Sequence, residues 1–431
     1  MIAQFLFAIL LVAAGVIFFK NASKIYRNIR LGKSVDRFDS PSERLKTMLL
    51  VAFGQKKMFK RPIPALLHLL VYLGFVIINI EMLEIVIDGV AGTHRIFAFL
   101  GGFYDFLIAS FEVLAFLVLA SCAIFLVRRN ILRLKRLNQK ELDNWPRTDA
   151  NLILAAEILL MAAFLFMNAA DFKLQQLGAP HYTAAGSFPI SQYLTTMLPE
   201  NIDTLMMMER FFWWFHIIGV LAFLNYLPVS KHLHILLAFP NTYFSNLKKK
   251  GQFENMSSVT AEVRAMLDPS LPPPDAEVSR FGVKDVHDLT WKNLLDAYTC
   301  TECGRCTASC PANATGKLLS PRKIMMDTRD RLSDVGKNID ANKGTFVDDG
   351  KSLIDNHITR EEIWACTTCN ACVEACPVNI DPLQIIMGLR QYAIMEESKG
   401  PASINNMLGN LENNGAPWKY AQADRANWTN S

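Results

Sequence analysis

Two stretches of the chain carry the same cysteine frame. "CTECGRCTASCP", residues 300–311, and "CTTCNACVEACP", residues 366–377, both read C-x2-C-x2-C-x3-C-P. In such a frame the first three thiolates hold three corners of a 4Fe-4S cube, and the fourth crosses to the cube of the other frame. The spacing therefore assigns Cys300, Cys303, Cys306 and Cys376 to one 4Fe-4S cluster, and Cys310, Cys366, Cys369 and Cys372 to a second. Zinc knuckles would close with four ligands and have no use for the third spacing. With every frame position filled, both clusters are expected to be four-iron, with no open iron for substrate. Of the 9 cysteines only Cys122 lies elsewhere, and it reads as a small packing residue. Such thiolates need a reducing compartment.

The histidines suggest a second kind of iron. His216 and His234 are 18 residues apart, which in one continuous helix is five turns, so both would share a face about 27 Å apart. His232 falls on another side of that helix and is the weaker ligand candidate. His68, near the inner end of an earlier apolar run, lies at a depth similar to that of His234. Two imidazoles from two helices at one depth can hold a b-type haem inside a bundle, so His68 and His234 are the expected iron ligands. Pro228 should bend the helix between His216 and His234. Three acids, Glu81, Glu84 and Asp88, are spaced i, i+3 and i+7 along one stripe. With Glu112 and Glu157 on other helices they suggest a proton path or the rim of a quinone pocket, because a lone carboxylate in a bilayer is costly.

Helices must carry these groups through a membrane. The chain has 431 residues, 51% hydrophobic, more than an ordinary soluble domain carries. Five runs approach or exceed the roughly 20 residues a span requires: about 2–19, 63–88, 103–127, 151–170 and 207–238. The first lacks a basic start and a small-residue cleavage site, so it is expected to be a retained helix. Lysines and arginines crowd the loop between Lys20 and Arg61 and the loop from Arg128 to Arg136, whereas the other two loops hold only Arg95 and Lys173. The positive-inside bias then puts the N-terminus outside and everything after the fifth run in the cytoplasm. A net charge of +4 gives no reason to expect nucleic acid.

Beyond residue 245 the chain turns polar. A proline-rich connection, 246–280, precedes a domain, 281–399, in which the frames form an imperfect repeat. Ser320-Pro321 and Asp381-Pro382 supply an N-cap and a first-turn proline after each frame. The fold expected is all-α: a five-helix membrane bundle over 1–245, followed by a mainly helical two-cluster ferredoxin domain. Residues 400–431 form a polar tail whose Trp418, Tyr420 and Trp428 suit a docking surface. Phosphate loops and dinucleotide fingerprints are absent, so hydride chemistry is expected to belong elsewhere.

"YLPVSKHLHILLAFPN", residues 226–241, together with the two frames, resembles the membrane iron–sulfur proteins related to heterodisulfide reductase. The membrane half resembles the haem b subunit of respiratory nitrate reductase, and the soluble half resembles the dicluster subunit of heterodisulfide reductase. The resemblance extends to electron-transfer flavoprotein:menaquinone oxidoreductases, in which these parts are fused to a domain with two CCG repeats. It implies a relay of electrons between a CCG-repeat iron–sulfur subunit, served by an electron-transfer flavoprotein, and menaquinone in the bacterial inner membrane. Two departures matter. The family's second helix supplies two haem ligands, and here Ile77 and Ile78 stand where the second is expected; His94, in "GTHR", is the residue that could join His216 at a second haem. No CCG repeat occurs in this chain, and "GAPWKYAQADRANW", residues 415–428, resembles the connection into that domain. Two alternatives are a heterodisulfide- or sulfur-compound-reductase module with reversed flow, and a membrane ferredoxin that serves assembly or metal reduction.

Overall fold

The computed structural model describes all residues except Thr183, Glu254, 272–279 and Ser431. Among the described residues the strand-like pairings are two isolated bridges, Lys33 with Thr290 and Ile354 with Ile358; the rest is helix and turn. The chain divides into two compact units, one of Met1–Tyr26, Lys46–Pro240 and Thr301–Cys303, the other of Arg27–Leu45, Asn241–Cys300 and Gly304–Ser431.

The first unit is built on five helices long and apolar enough to cross a membrane: α1 (Ile2–Ile29), α2 (Pro62–Ala91), α3 (Gly102–Leu126), α4 (Trp145–Gln176) and α5 (Ile202–Tyr226). Each closes its backbone hydrogen bonds within itself, the condition for standing in lipid. Their ends follow local chemistry. Pro62 and Pro146 sit in first turns, where a missing N–H costs nothing, and Asn201 caps α5 by accepting the Thr204 N–H. Gly92, at φ 74°, ends α2 and returns its N–H to the Asp88 carbonyl. Helices α3, α4 and α5 pack around Ile108, Phe111, Ala115, Leu160 and Phe164. Helix α2 approaches α3 closely at Gly74, where a Cβ would lie 2.4 Å from Val118, and α5 approaches α4 at Gly219, where it would lie 2.6 Å from Leu160.

The fifth run departs from the expected single helix over 207–238. Helix α5 ends at Tyr226, two short 3-10 turns follow at Leu227–Val229 and Lys231–Leu233, and α6 (His234–Tyr243) starts afresh at His234. The five-turn relation between His216 and His234 therefore does not hold. Pro228 supplies no N–H and fixes its φ, and Ser230 is extended. Asp149 of α4, itself buried, pins the break by accepting from Tyr226 Oη, Ser230 Oγ and the Lys231 N–H at 2.5, 2.7 and 3.1 Å.

In the second unit α7 (Trp291–Thr299), α8 (Pro321–Ala341) and α9 (Pro382–Met395) enclose a core that includes Leu294, Ile324, Leu332, Ile386 and Leu389. The expected linker contains a helix, Ser257–Leu267, and its proline-rich part, 272–279, lies outside the described residues. The tail forms α10 (Ala402–Asn414), which buries none of its residues.

Candidate functional site

Both cysteine frames are folded alike. Each is entered by a helix locked with a capping box, Thr290 with Asn293 for α7 and Thr359 with Glu362 for Arg360–Trp364. Left-handed residues follow at matching places, Glu302 (φ 54°) and Thr368 (φ 55°), then Gly304 (φ 70°) and Asn370 (φ 60°). Such turns aim backbone N–H groups at a common point. The Thr368 N–H donates to Cys366 Sγ at 3.4 Å, and the Ile380 N–H to Cys376 Sγ at 3.3 Å. The expected caps are present: Ser320 accepts from the Lys323 N–H, and Asp381 from those of Leu383 and Gln384. Cys310 stands within electrostatic reach of the second frame. Burial is the main cause that pushes the Cys366 and Cys372 thiols up, and the charge of Cys310 adds to both. Among the described residues no three His, Cys, Asp or Glu close around a single metal-ion position; a cube holds its four sulfurs farther apart than one ion does. The N–H donors at Cys366 and Cys376 and the reach of Cys310 to the second frame fit thiolate ligands of 4Fe-4S clusters.

The imidazoles of His68 and His234 face each other with ring centroids 6.4 Å apart and planes at 41°. Two metal–nitrogen bonds of about 2 Å plus two ring radii reproduce that separation. Each ring has its other nitrogen engaged: His68 Nδ1 meets Gln55 Oε1 at 3.1 Å, and His234 Nδ1 meets the Lys231 carbonyl at 3.0 Å. With the Gln55 Oε1 and the Lys231 carbonyl as acceptors, these contacts suit a hydrogen on each Nδ1, the tautomer that an iron ligand bound through Nε2 requires. The spacing of the pair fits two imidazoles that would hold one iron between them. His232 packs edge-on to His234 at 5.5 Å.

His216 and His94 are not brought together. The His216 Nδ1 meets the Leu160 carbonyl at 3.0 Å and its ring rests on Phe164. His94 Nε2 lies 3.7 Å from Asp171, and its ring packs on Tyr182. Leu160 and Asp171 are 11 residues apart in α4, about 16 Å along its axis. Ile78 is buried in the core of the bundle.

The acidic stripe meets a buried polar network. Asp88 accepts from Thr93 Oγ1 and the N–H groups of Arg95 and Ile96, which fixes the turn after α2. Glu84 accepts from the Phe97 N–H at 2.9 Å and Tyr104 Oη at 3.0 Å. Arg95 is the hub, donating to Asp171, Tyr104 and Asn168 at 2.6, 3.0 and 3.1 Å. Glu112 accepts from Asn168 and the N–H groups of Ile190 and Ser191. Glu81, 3% exposed, and His94 each bury a side-chain atom, Oε2 and Nδ1, without a hydrogen-bond partner. Cys122 is buried among apolar side chains, as expected of a packing residue.

The family model of a 4Fe-4S dicluster domain matches residues 292–377, which hold both frames. A probable iron-sulfur-binding oxidoreductase FadF of Bacillus subtilis is 29% identical over 93% of this chain and 57% of its own length. An EtfAB:quinone oxidoreductase of Syntrophomonas wolfei is 26% identical over 98% of this chain and 59% of its own length. One subunit of a ferredoxin:CoB-CoM heterodisulfide reductase of Methanosarcina mazei is 33% identical over 23% of this chain and 48% of its own length. The chain is similar to iron–sulfur oxidoreductases over most of its length and to a heterodisulfide reductase subunit in its dicluster region. It spans less than two thirds of the length of these relatives. No solved structure matches it.

Several residues at these sites have no one-dimensional signature. Arg95 was visible as one of two basic residues in the outer loops, yet nothing in one dimension paired it with Asp171 or Asn168. Asp149 and the pairing of Lys231 with Glu302 bring together residues 82 and 71 positions apart, and no periodicity encodes that.

Proposed function

We propose that this chain is the membrane and electron-transfer part of a quinone-linked iron–sulfur oxidoreductase. Cys300, Cys303, Cys306 and Cys376 would hold one 4Fe-4S cluster, Cys310, Cys366, Cys369 and Cys372 the other, and His68 with His234 one haem b. These groups supply one-electron carriers, and the chain's part is to hold them in order. The pair of His68 and His234 carries this reading, since ring centroids 6.4 Å apart match two imidazoles bound to one iron. Glu81 and its surroundings would take or release the protons that a quinone exchanges on reduction. Menaquinone is the acceptor the reading favours, with a CCG-repeat iron–sulfur unit and an electron-transfer flavoprotein on the other side. The basic loops favour a bacterial inner membrane with the N-terminus outside and the clusters in the cytoplasm. The relatives that span most of this chain include the quinone oxidoreductase, whereas the heterodisulfide reductase relative matches only 23% of it.

Haem content tests the pair. His68→Ala and His234→Ala should each abolish the same α-band in reduced-minus-oxidised spectra, with iron–sulfur content unchanged. Full haem in either variant contradicts the assignment.

A further inference from the structure

Lys231 touches both redox elements. Its carbonyl accepts the hydrogen bond of His234 Nδ1 at 3.0 Å. Its ammonium, buried, forms an ion pair with Glu302, itself 3% exposed, donates to the Pro146 carbonyl at 2.6 Å and lies 3.8 Å from Asp149. Glu302 sits between Cys300 and Cys303 in the first cysteine frame, in a left-handed conformation at φ 54° that few residues besides glycine adopt. A second tie adjoins it, since Arg136 Nη1 donates to the Cys303 carbonyl at 2.7 Å. The Thr301–Cys303 segment accordingly belongs to the same compact unit as His68 and His234. The second frame places uncharged Thr368 where the first has Glu302, and its Cys369 is exposed.

We propose that Lys231 and Glu302 form a buried charge clamp that ties Thr301–Cys303 of the first frame to the segment carrying His234, so that this ion pair sets the charge beside the first-frame cluster. Both are positioning residues. The proposal rests on the reading of His68 and His234 as haem ligands. Alternating fixed charges give it a sign. A buried pair that loses one partner leaves the other uncompensated in a low-dielectric setting. Loss of Lys231 would leave the Glu302 charge less balanced beside the first cluster and oppose its reduction, whereas loss of Glu302 would leave Lys231 facing Asp149 alone and favour it.

The test is a redox titration of the purified full-length protein, following both clusters by electron paramagnetic resonance and the haem by its α-band, in Lys231→Met, Glu302→Gln and the double variant. The midpoint of the first-frame cluster should fall in Lys231→Met, rise in Glu302→Gln and return close to wild type in the double variant, while the second-frame cluster stays put. Because the pair is buried, the shifts should persist at high salt. Shifts of one sign in both single variants, equal movement of both clusters, or no movement overturns the clamp. Should Lys231→Met lose its first cluster, Lys231→Arg decides: cluster retained with an unchanged midpoint supports the clamp, and equal loss overturns it. A wild-type protein without haem defeats the reading of the histidine pair, yet the cluster shifts still report on the clamp.

Discussion

Gln55 has a task that its residue type alone does not reveal. It is buried, holds a left-handed φ of 49° and presents Oε1 to His68 Nδ1 at 3.1 Å. Outer partners of this kind set ring orientation, and their loss lowers affinity roughly 10–100-fold. Gln55→Leu should therefore keep the fold and both clusters but weaken haem retention, read by the haem-to-protein ratio after extended washing; an undiminished ratio would deny Gln55 that role. Crossover ligation is tested by Cys310→Ala. That variant should lose the paramagnetic signal of the cluster held by Cys366, Cys369 and Cys372 and keep that of Cys300, Cys303 and Cys306. The opposite loss would reverse the assignment. The two-cluster domain could be read from sequence because its cysteine spacing is a local, one-dimensional code. Depth along apolar runs likewise picked out His68 with His234, whereas Gln55 and Lys231 act through contacts made only when distant segments fold together.

At the scale of elements, the two frames share a construction of capping box, paired left-handed residues, Cys-Pro and a capped helix. The caps after the frames were legible because Ser-Pro and Asp-Pro are local signals, but the break after Tyr226 was only half legible. Pro228 announced a disturbance, while Asp149, which holds the chain extended at Ser230, lies far away in sequence. Asp381 caps α9 under strain. Burial, then Asp296, pushes its carboxyl up to about 6 from 3.8. The folded value is raised, so the ionised carboxylate opposes folding: stability is greatest below pH ~4 and declines as pH rises toward 6. Asp381→Asn keeps a capping oxygen and removes that charge. It should raise the thermal midpoint at pH 7, by up to about 3 kcal/mol of stability, with little effect at pH 4. Equal midpoints at pH 7 would show the carboxylate to be unpenalised. Ser320→Ala, by contrast, should lower stability by about 1 kcal/mol at either pH.

Over the whole molecule, the all-helical plan with five apolar helices and a two-cluster domain follows from periodicity and cysteine spacing. The polar network around Arg95 does not, because its members come from α2, α3, α4 and the loops between them. The proposed docking role of the tail belongs to this scale. Trp418, Tyr420 and Trp428 are 52%, 66% and 76% exposed beyond a helix that buries no residue, and exposed aromatics of this kind suit an interface. Truncation after Gly400 should leave both clusters and the haem in place while abolishing copurification of a CCG-repeat iron–sulfur subunit; undiminished copurification would remove the tail from the dock. The account turns on electrons passing from the clusters through the haem to a quinone. The most direct measurement is anaerobic: reduce the purified protein with dithionite, remove the excess, add a short-chain menaquinone analogue and follow the haem α-band and the cluster absorption together. The account predicts an α-band that is present on reduction and lost on adding quinone, with the clusters reoxidised in step. A protein without that band, or one whose band persists beside excess quinone, would contradict it.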